Sequence, residues 1–210
     1  MNSRTTPPGP PAAVAGRSEA PLLNIANALT VVRLVLVPVF IWLMLRSGDA
    51  VRLAAALVFA LAAATDRLDG QLARSRNLVT SFGKIADPIA DKALTLSAFV
   101  LLSVAGRLWW WVTVLIIVRE LGITLMRFVM LRRAVMAASR GGKLKTALQV
   151  TGIFGLLVPW AAFVPPVLAT ALDLTAYVLV GLALVVTLVT GADYVLKALR
   201  LSRADPGGRP

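Results

Sequence analysis

Apolar residues fill most of the chain in six runs, at 29–45, 51–64, 89–105, 109–131, 144–163 and 172–196, parted by short polar or basic stretches. A helix of about 20 residues crosses the hydrocarbon of a bilayer, and only helices and closed barrels satisfy their backbone there. The pattern therefore predicts six transmembrane helices in an all-α integral membrane protein. The second and third continue into the charged segment between them. No repeat at solenoid or transporter-half spacing is evident, which favours one compact helical domain over 22–200.

Composition agrees, since 58% of the 210 residues are hydrophobic and 15% charged, with a mean hydropathy of +0.81. Residues 1–21, "MNSRTTPPGPPAAVAGRSEAP", are rich in Pro and small residues and hold no apolar h-region, so a disordered tail is expected, not a signal peptide. Residues 201–210 read as a C-terminal tail. Cysteine is absent, which excludes disulfides and thiolate metal sites.

The basic residues set an orientation. Arg4 and Arg17 precede the first helix; Arg67, Arg74, Arg76 and Lys84 lie between the second and third; Arg132, Arg133, Arg140, Lys143 and Lys145 lie between the fourth and fifth; Lys197, Arg200, Arg203 and Arg209 close the chain. The opposite side carries only Arg46 and Arg52 in one loop, Arg107 in the next, and neither Lys nor Arg across 165–173. Positive loops face the cytoplasm, so both termini are expected there. The net charge of +12 then reflects topology and attraction to anionic lipid heads, and no nucleic-acid partner is required.

Against this background, "TDRLDGQLARSRNLVTSFGKIADPIAD" at 65–91 holds four aspartates. Asp66 and Asp69 are three apart at the end of the second helix, and Asp87 and Asp91 are four apart at the start of the third, so each pair shares a helix face. Gly70 and Gly83 allow close approach or tight turning, and "SRNLVTSF" is long enough to reverse the chain, so the pairs can face each other. Clustered carboxylates at a membrane boundary repel and are costly to desolvate; hard divalent cations remove that penalty. Two cations sharing the cluster suit phosphoryl chemistry. The bland alternative is local pairing of Asp66, Asp69 and Asp87 with Arg67, Arg74 and Lys84, but Asp91, which opens an apolar run, has no place in it. A cation transporter or channel is the alternative from another class, and it does not require the Gly and Ala-Arg spacing found here.

The segment resembles the CDP-alcohol phosphatidyltransferase family, whose signature D-x2-D-G-x2-A-R-x8-G-x3-D-x3-D is matched at Asp66, Asp69, Gly70, Ala73, Arg74, Gly83, Asp87 and Asp91. "NIANALTVVRLVLVPVF", "ADPIADK", "VRELGITLMR" and "ASRGGKLKT" look like the actinobacterial form of the branch that makes phosphatidylglycerophosphate. The resemblance implies the family's six-helix fold, a homodimer in the bacterial cell membrane with its active site towards the cytoplasm, and two Mg2+ or Mn2+ ions per protomer. It implies transfer of a phosphatidyl group from CDP-diacylglycerol to an alcohol with release of CMP. Asp66, Asp69 and Asp87 would be metal ligands, and Asp91 both a ligand and the base; Gly70, Ala73, Arg74, Thr80 and Gly83 would hold the CDP-lipid. The acceptor is expected to be sn-glycerol 3-phosphate, with phosphatidylglycerol (cardiolipin synthesis) and inositol phosphate as alternatives within the family.

Asn27, Thr30 and Arg33 line one face entering the first helix and either touch nucleotide or serve as cap and snorkelling residues. Trp109, Trp110 and Trp111 mark an interfacial aromatic belt. Arg119 and Glu120 form an intramembrane pair or border a polar cavity that Arg127 extends towards the cytoplasm. Arg140, Lys143 and Lys145 are either a plain positive loop or, near the start of the fifth helix, a site for the acceptor phosphate aided by the helix dipole. Together with Arg119 and Arg127 they supply more positive charge than the pyrophosphate needs, which points to an anionic second substrate.

Overall fold

A computed structural model describes residues 25–75, 81–130 and 140–204; the side chains of 26, 27, 67–75, 81–88, 126–130, 140–143, 194 and 197–204 fall outside that description. Among the described residues the chain is all-helical. Six α-helices follow one another as α1 Ile25–Met44, α2 Asp49–Ser75, α3 Ser81–Val104, α4 Trp110–Met130, α5 Arg140–Leu157 and α6 Pro166–Ala204, with a 3-10 turn at Trp160–Ala162.

Each predicted apolar run is carried for most of its length by one helix, and α2 and α3 carry the aspartate segment as helical backbone from either side. Two boundaries differ from the apolar pattern. The fifth run reaches residue 163, but α5 stops at Leu157 because Pro159 disfavours helical backbone before it. The sixth run opens at 172, yet α6 starts at Pro166, where a proline's fixed φ suits the first helical position and its missing N–H costs nothing. The polar Thr170 and Asp173 interrupt the hydropathy without interrupting the helix; the Thr170 hydroxyl donates to the Pro166 carbonyl at 2.9 Å. The expected loop at 165–173 is thus largely helix. Helix α6 also runs through 201–204; the expected tails at 1–21 and 205–210 lie outside the described residues.

The turns are built for their conformations. Helix α3 ends in a Schellman arrangement in which Arg107 N–H donates to Leu102 O at 2.9 Å and Gly106 N–H to Ser103 O at 3.0 Å, with Gly106 at φ +68°. Gly48, at φ +115°, turns the chain from α1 into α2.

Helix α1 packs on α2 and α3, α2 on α5, and α4 and α5 on α6. The core is made by Phe40, Phe59, Phe99, Leu102, Ile116, Ile153 and Leu156, all fully buried, with Phe40 and Phe59 tilted at a centroid distance of 5.7 Å. Close approach of α5 and α6 depends on small residues, since a Cβ at Gly155 would lie 2.7 Å from Ala176 Cβ.

Outward faces are apolar as well. Val31, Val35, Val39 and Trp42 on α1, Val114, Val118, Leu121 and Leu125 on α4, and Leu174, Val178, Leu182, Val185 and Val189 on α6 are exposed large hydrophobics at helical spacing. Residues Pro166–Asp193, with a mean hydropathy of 2.3, are long and apolar enough to cross a membrane; Ala28–Met44 and Leu144–Leu157 are shorter apolar helices.

Candidate active site

Asp66 sits on α2 where the apolar stretch gives way to the charged segment, and its Oδ1 is 2.8 Å from Nη1 of Arg33 on α1. Arg33 is fully buried, so its charge is held inside the bundle by a carboxylate that remains partly open. One turn earlier on α1, Thr30 is buried too. Asp91, half-buried on α3, lines the same small cleft of about 40 Å³, which Arg33, Ala63, Asp66, Thr95 and Thr146 help to form. Helices α1, α2, α3 and α5 therefore converge where the first and last aspartates of the segment meet. The Thr95 hydroxyl donates to the Asp91 carbonyl at 2.9 Å, which fixes that wall by a bond within α3.

A second charged cluster lies alongside, because Asp91 and Lys92 are successive on α3 and Lys145 and Thr146 are successive on α5. Glu120 of α4 is buried and accepts from both Lys92 and Lys145. Arg119 donates from Nη1 to the same carboxylate at 2.8 Å, from Nε to Thr187 O at 2.9 Å and from Nη2 to Thr190 Oγ1 at 2.6 Å. Four helices are joined by this network. A Cβ at Gly191 would come within 3.2 Å of Arg119 Cγ, so a small residue there lets the guanidinium stem lie against α6. With three cations, Lys92, Arg119 and Lys145, on one carboxylate, the cluster keeps an excess of positive charge beside the cleft.

Several site residues expected from the sequence are brought together and others are not described. Asp66 and Asp91 share the cleft. Asp69, Gly70, Ala73 and Arg74 follow Asp66 on α2, and Gly83 and Asp87 precede Asp91 on α3, all as helical backbone whose side chains lie outside the described residues; Thr80 lies outside them altogether. The side chains of Asn27, Arg127, Arg140 and Lys143 are likewise outside them. Asp66 has a partner on another helix, Arg33; the side chains of Arg67, Arg74 and Lys84, the local partners expected for Asp66, Asp69 and Asp87, lie outside the described residues. Arg119 and Lys145 do meet, but through Glu120, and Lys145 is buried on that carboxylate.

Sequence reasoning missed Lys92, Thr95 and Thr146. Lys92 directly follows the last aspartate inside an apolar run, where a lysine needs a partner, and that was its available signal.

Among the described residues no group of three or more carboxylate, His or Cys side chains is assembled. Even so, the donors fit a hard divalent cation: the two carboxylates that are described line one cleft, and each has a further aspartate one turn away along its own helix. The CDP-alcohol phosphatidyltransferase family matches residues 23–193, a span that includes the cleft, the Glu120 cluster and the whole aspartate segment.

The chain belongs to the CDP-alcohol phosphatidyltransferase family.

Similar members of this family are bacterial. A Mycobacterium tuberculosis (strain H37Rv) protein named "Probable phosphatidylglycerophosphate synthase" is 48% identical over 198 residues, covering 93% of this chain and 88% of that one. In Bacillus subtilis (strain 168), a protein named CDP-diacylglycerol–glycerol-3-phosphate 3-phosphatidyltransferase is 34% identical, covering 84% and 95%. The Escherichia coli (strain K12) protein of that name is 39% identical over 140 residues, covering 64% and 76%.

Proposed function

We infer that the chain transfers a phosphatidyl group from CDP-diacylglycerol to sn-glycerol 3-phosphate, giving phosphatidylglycerophosphate and CMP in phospholipid biosynthesis. The observation that carries this reading is the convergence of Asp66 and Asp91, the two ends of the aspartate signature, on one cleft beside a cation-rich cluster. The names of relatives that span most of the chain support the choice of acceptor.

Asp66, Asp69, Asp87 and Asp91 would hold Mg2+ or Mn2+, two ions per protomer. When bound, such ions neutralise pyrophosphate oxygens and favour CMP as leaving group. Asp91 would accept the proton of the glycerol hydroxyl as its oxygen bonds to the phosphatidyl phosphorus and the bond from that phosphorus to the CMP oxygen breaks. Arg74 would make forked contacts to the CDP phosphates, with Gly70, Ala73, Gly83 and Thr80 shaping the nucleotide side and Asn27 and Thr30 bordering it. Arg33 would hold Asp66 in a single orientation. Arg127, Arg140 and Lys143, with Arg119 and Lys145 behind them on Glu120, would draw in the phosphate of the acceptor.

The protein would lie in the bacterial cell membrane as six transmembrane helices, a homodimer with both termini and the cleft on the cytoplasmic side. Support for the membrane comes from the outward apolar stripes on α1, α4 and α6, which water would not tolerate over that extent. All five tryptophans, Trp42, Trp109, Trp110, Trp111 and Trp160, occur at the end of the bundle remote from Asp66 and Asp91, as an interfacial belt does.

The reading is tested by CMP release from CDP-diacylglycerol by purified chain given Mg2+ and sn-glycerol 3-phosphate. Release that needs both additions, and that disappears in Asp66→Asn and in Asp91→Asn, supports it. Release unaffected by either substitution overturns the assignment of this cleft.

A further inference from the structure

At the end of the bundle opposite the carboxylate cleft, two arginines have no part in the reaction. Arg46 in the turn after α1 and Arg52 in the first turn of α2, together with Ser47, Gly48, Asp49 and Ala105, line a cavity of about 190 Å³. That is room for about six waters at about 30 Å³ each, enough for a phosphate group.

The local charge is unbalanced. Arg46 lies over the Trp42 ring at 4.5 Å from its centroid, and among the described residues no carboxylate is within ion-pair distance of it. Among the described residues the Arg52 side chain makes one long bond, from Nη2 to Leu156 O at 3.3 Å, and its buried Nε finds no hydrogen-bond partner there. The charged groups acting on Arg52 are Arg107, Asp173 and Asp49, and Asp173 is already held by Arg107 at 2.7 Å. Three arginines (46, 52 and 107) against two aspartates (49 and 173) leave one positive charge in excess. Topology does not explain them, because arginine is disfavoured in the loops of the outer side. Guanidinium forks match phosphate oxygens.

The ligand is also amphiphilic by the character of its surroundings. Trp42 and Leu45 are exposed beside the cavity, and Val35, Val39 and Trp42 form an apolar stripe on α1 that leads away from it towards the middle of the bundle. We propose that this cavity binds the phosphate of an anionic phospholipid headgroup from the leaflet opposite the catalytic cleft, with the acyl chains lying along α1. The proposal rests on the membrane reading above.

In the test, the full chain in neutral detergent is incubated with dioleoyl phosphatidylglycerol, dioleoyl phosphatidylcholine or inorganic phosphate, and bound molecules are counted by native mass spectrometry. Phosphatidylglycerol should be retained in preference to phosphatidylcholine. Arg46→Gln combined with Arg52→Gln should weaken that retention by about tenfold, while CMP release from CDP-diacylglycerol stays at the level of the unsubstituted chain. Should the double variant not fold, Arg46→Gln alone carries the test, because Arg46 lies in the turn after α1 with its guanidinium over the exposed Trp42 ring. Equal retention of the two lipids, or undiminished retention by the folded variant, overturns the proposal. Inorganic phosphate that displaces phosphatidylglycerol at comparable concentration assigns the cavity to a free anion and overturns it too. Flotation with vesicles separates the two readings: a chain that does not co-float overturns the membrane reading itself, whereas one that floats without discriminating between the lipids overturns this inference alone.

Discussion

Arg33 of α1 and Asp66 of α2 are joined at 2.8 Å, with the arginine fully buried and the carboxylate 36% exposed. The asymmetry assigns their duties. A buried guanidinium holds in place a carboxylate whose open side faces the cleft shared with Asp91.

Arg33→Lys keeps the charge but loses the planar fork, so Asp66 should lose its fixed orientation. Turnover should fall by about a hundredfold, as when one preorganised electrostatic group is removed, while the protein still inserts and folds. Turnover and circular dichroism on the same preparation check this; full activity would show that Arg33 does not position Asp66.

Glu120→Gln leaves Lys92, Arg119 and Lys145 without their common carboxylate. Losing one partner of a buried ionic network costs about 3 kcal/mol, so the melting temperature in detergent should drop markedly. An unchanged melting temperature would mean that the three cations find solvent or lipid partners instead.

Gly155→Val should separate α5 from α6, because even a Cβ at this position would meet Ala176 Cβ at 2.7 Å. Overpacking of this kind costs about 1–3 kcal/mol. Pairing it with Ala176→Gly, which removes the opposing methyl, should restore part of the melting temperature; no restoration would place the strain elsewhere.

Metal removal is expected to stop transfer without unfolding the chain. Dialysis against a chelator should abolish CMP release, and added Mg2+ or Mn2+ should restore it with the circular dichroism unchanged throughout. Undiminished release after chelation would remove the metal from the account.

The helices were legible because long apolar runs leave few alternatives. Hydropathy alone misplaces two of their ends, where proline chemistry decides: Pro159 ends α5 before the apolar run does, and Pro166 opens α6 before its run begins. In the site, the aspartates stood out by spacing, since three and four residues define one helix face. The spacing of Asn27, Thr30 and Arg33 places Arg33 on a face of α1, yet its partner Asp66 belongs to another helix, and no periodicity carries that information. The same holds for Glu120: its neighbour Arg119 is adjacent in sequence, whereas Lys92 and Lys145 reach it from α3 and α5. Local spacing reports a face of one helix; convergence of several helices is a property of the packed bundle.

The central claim is the identity of the acceptor, and the lipid product tests it most directly. Purified chain with Mg2+ and CDP-diacylglycerol is offered sn-glycerol 3-phosphate, phosphatidylglycerol and inositol phosphate side by side, and the products are separated and weighed by mass spectrometry. The account predicts phosphatidylglycerophosphate from the first as the dominant product; preferential formation of cardiolipin or of phosphatidylinositol phosphate would contradict it.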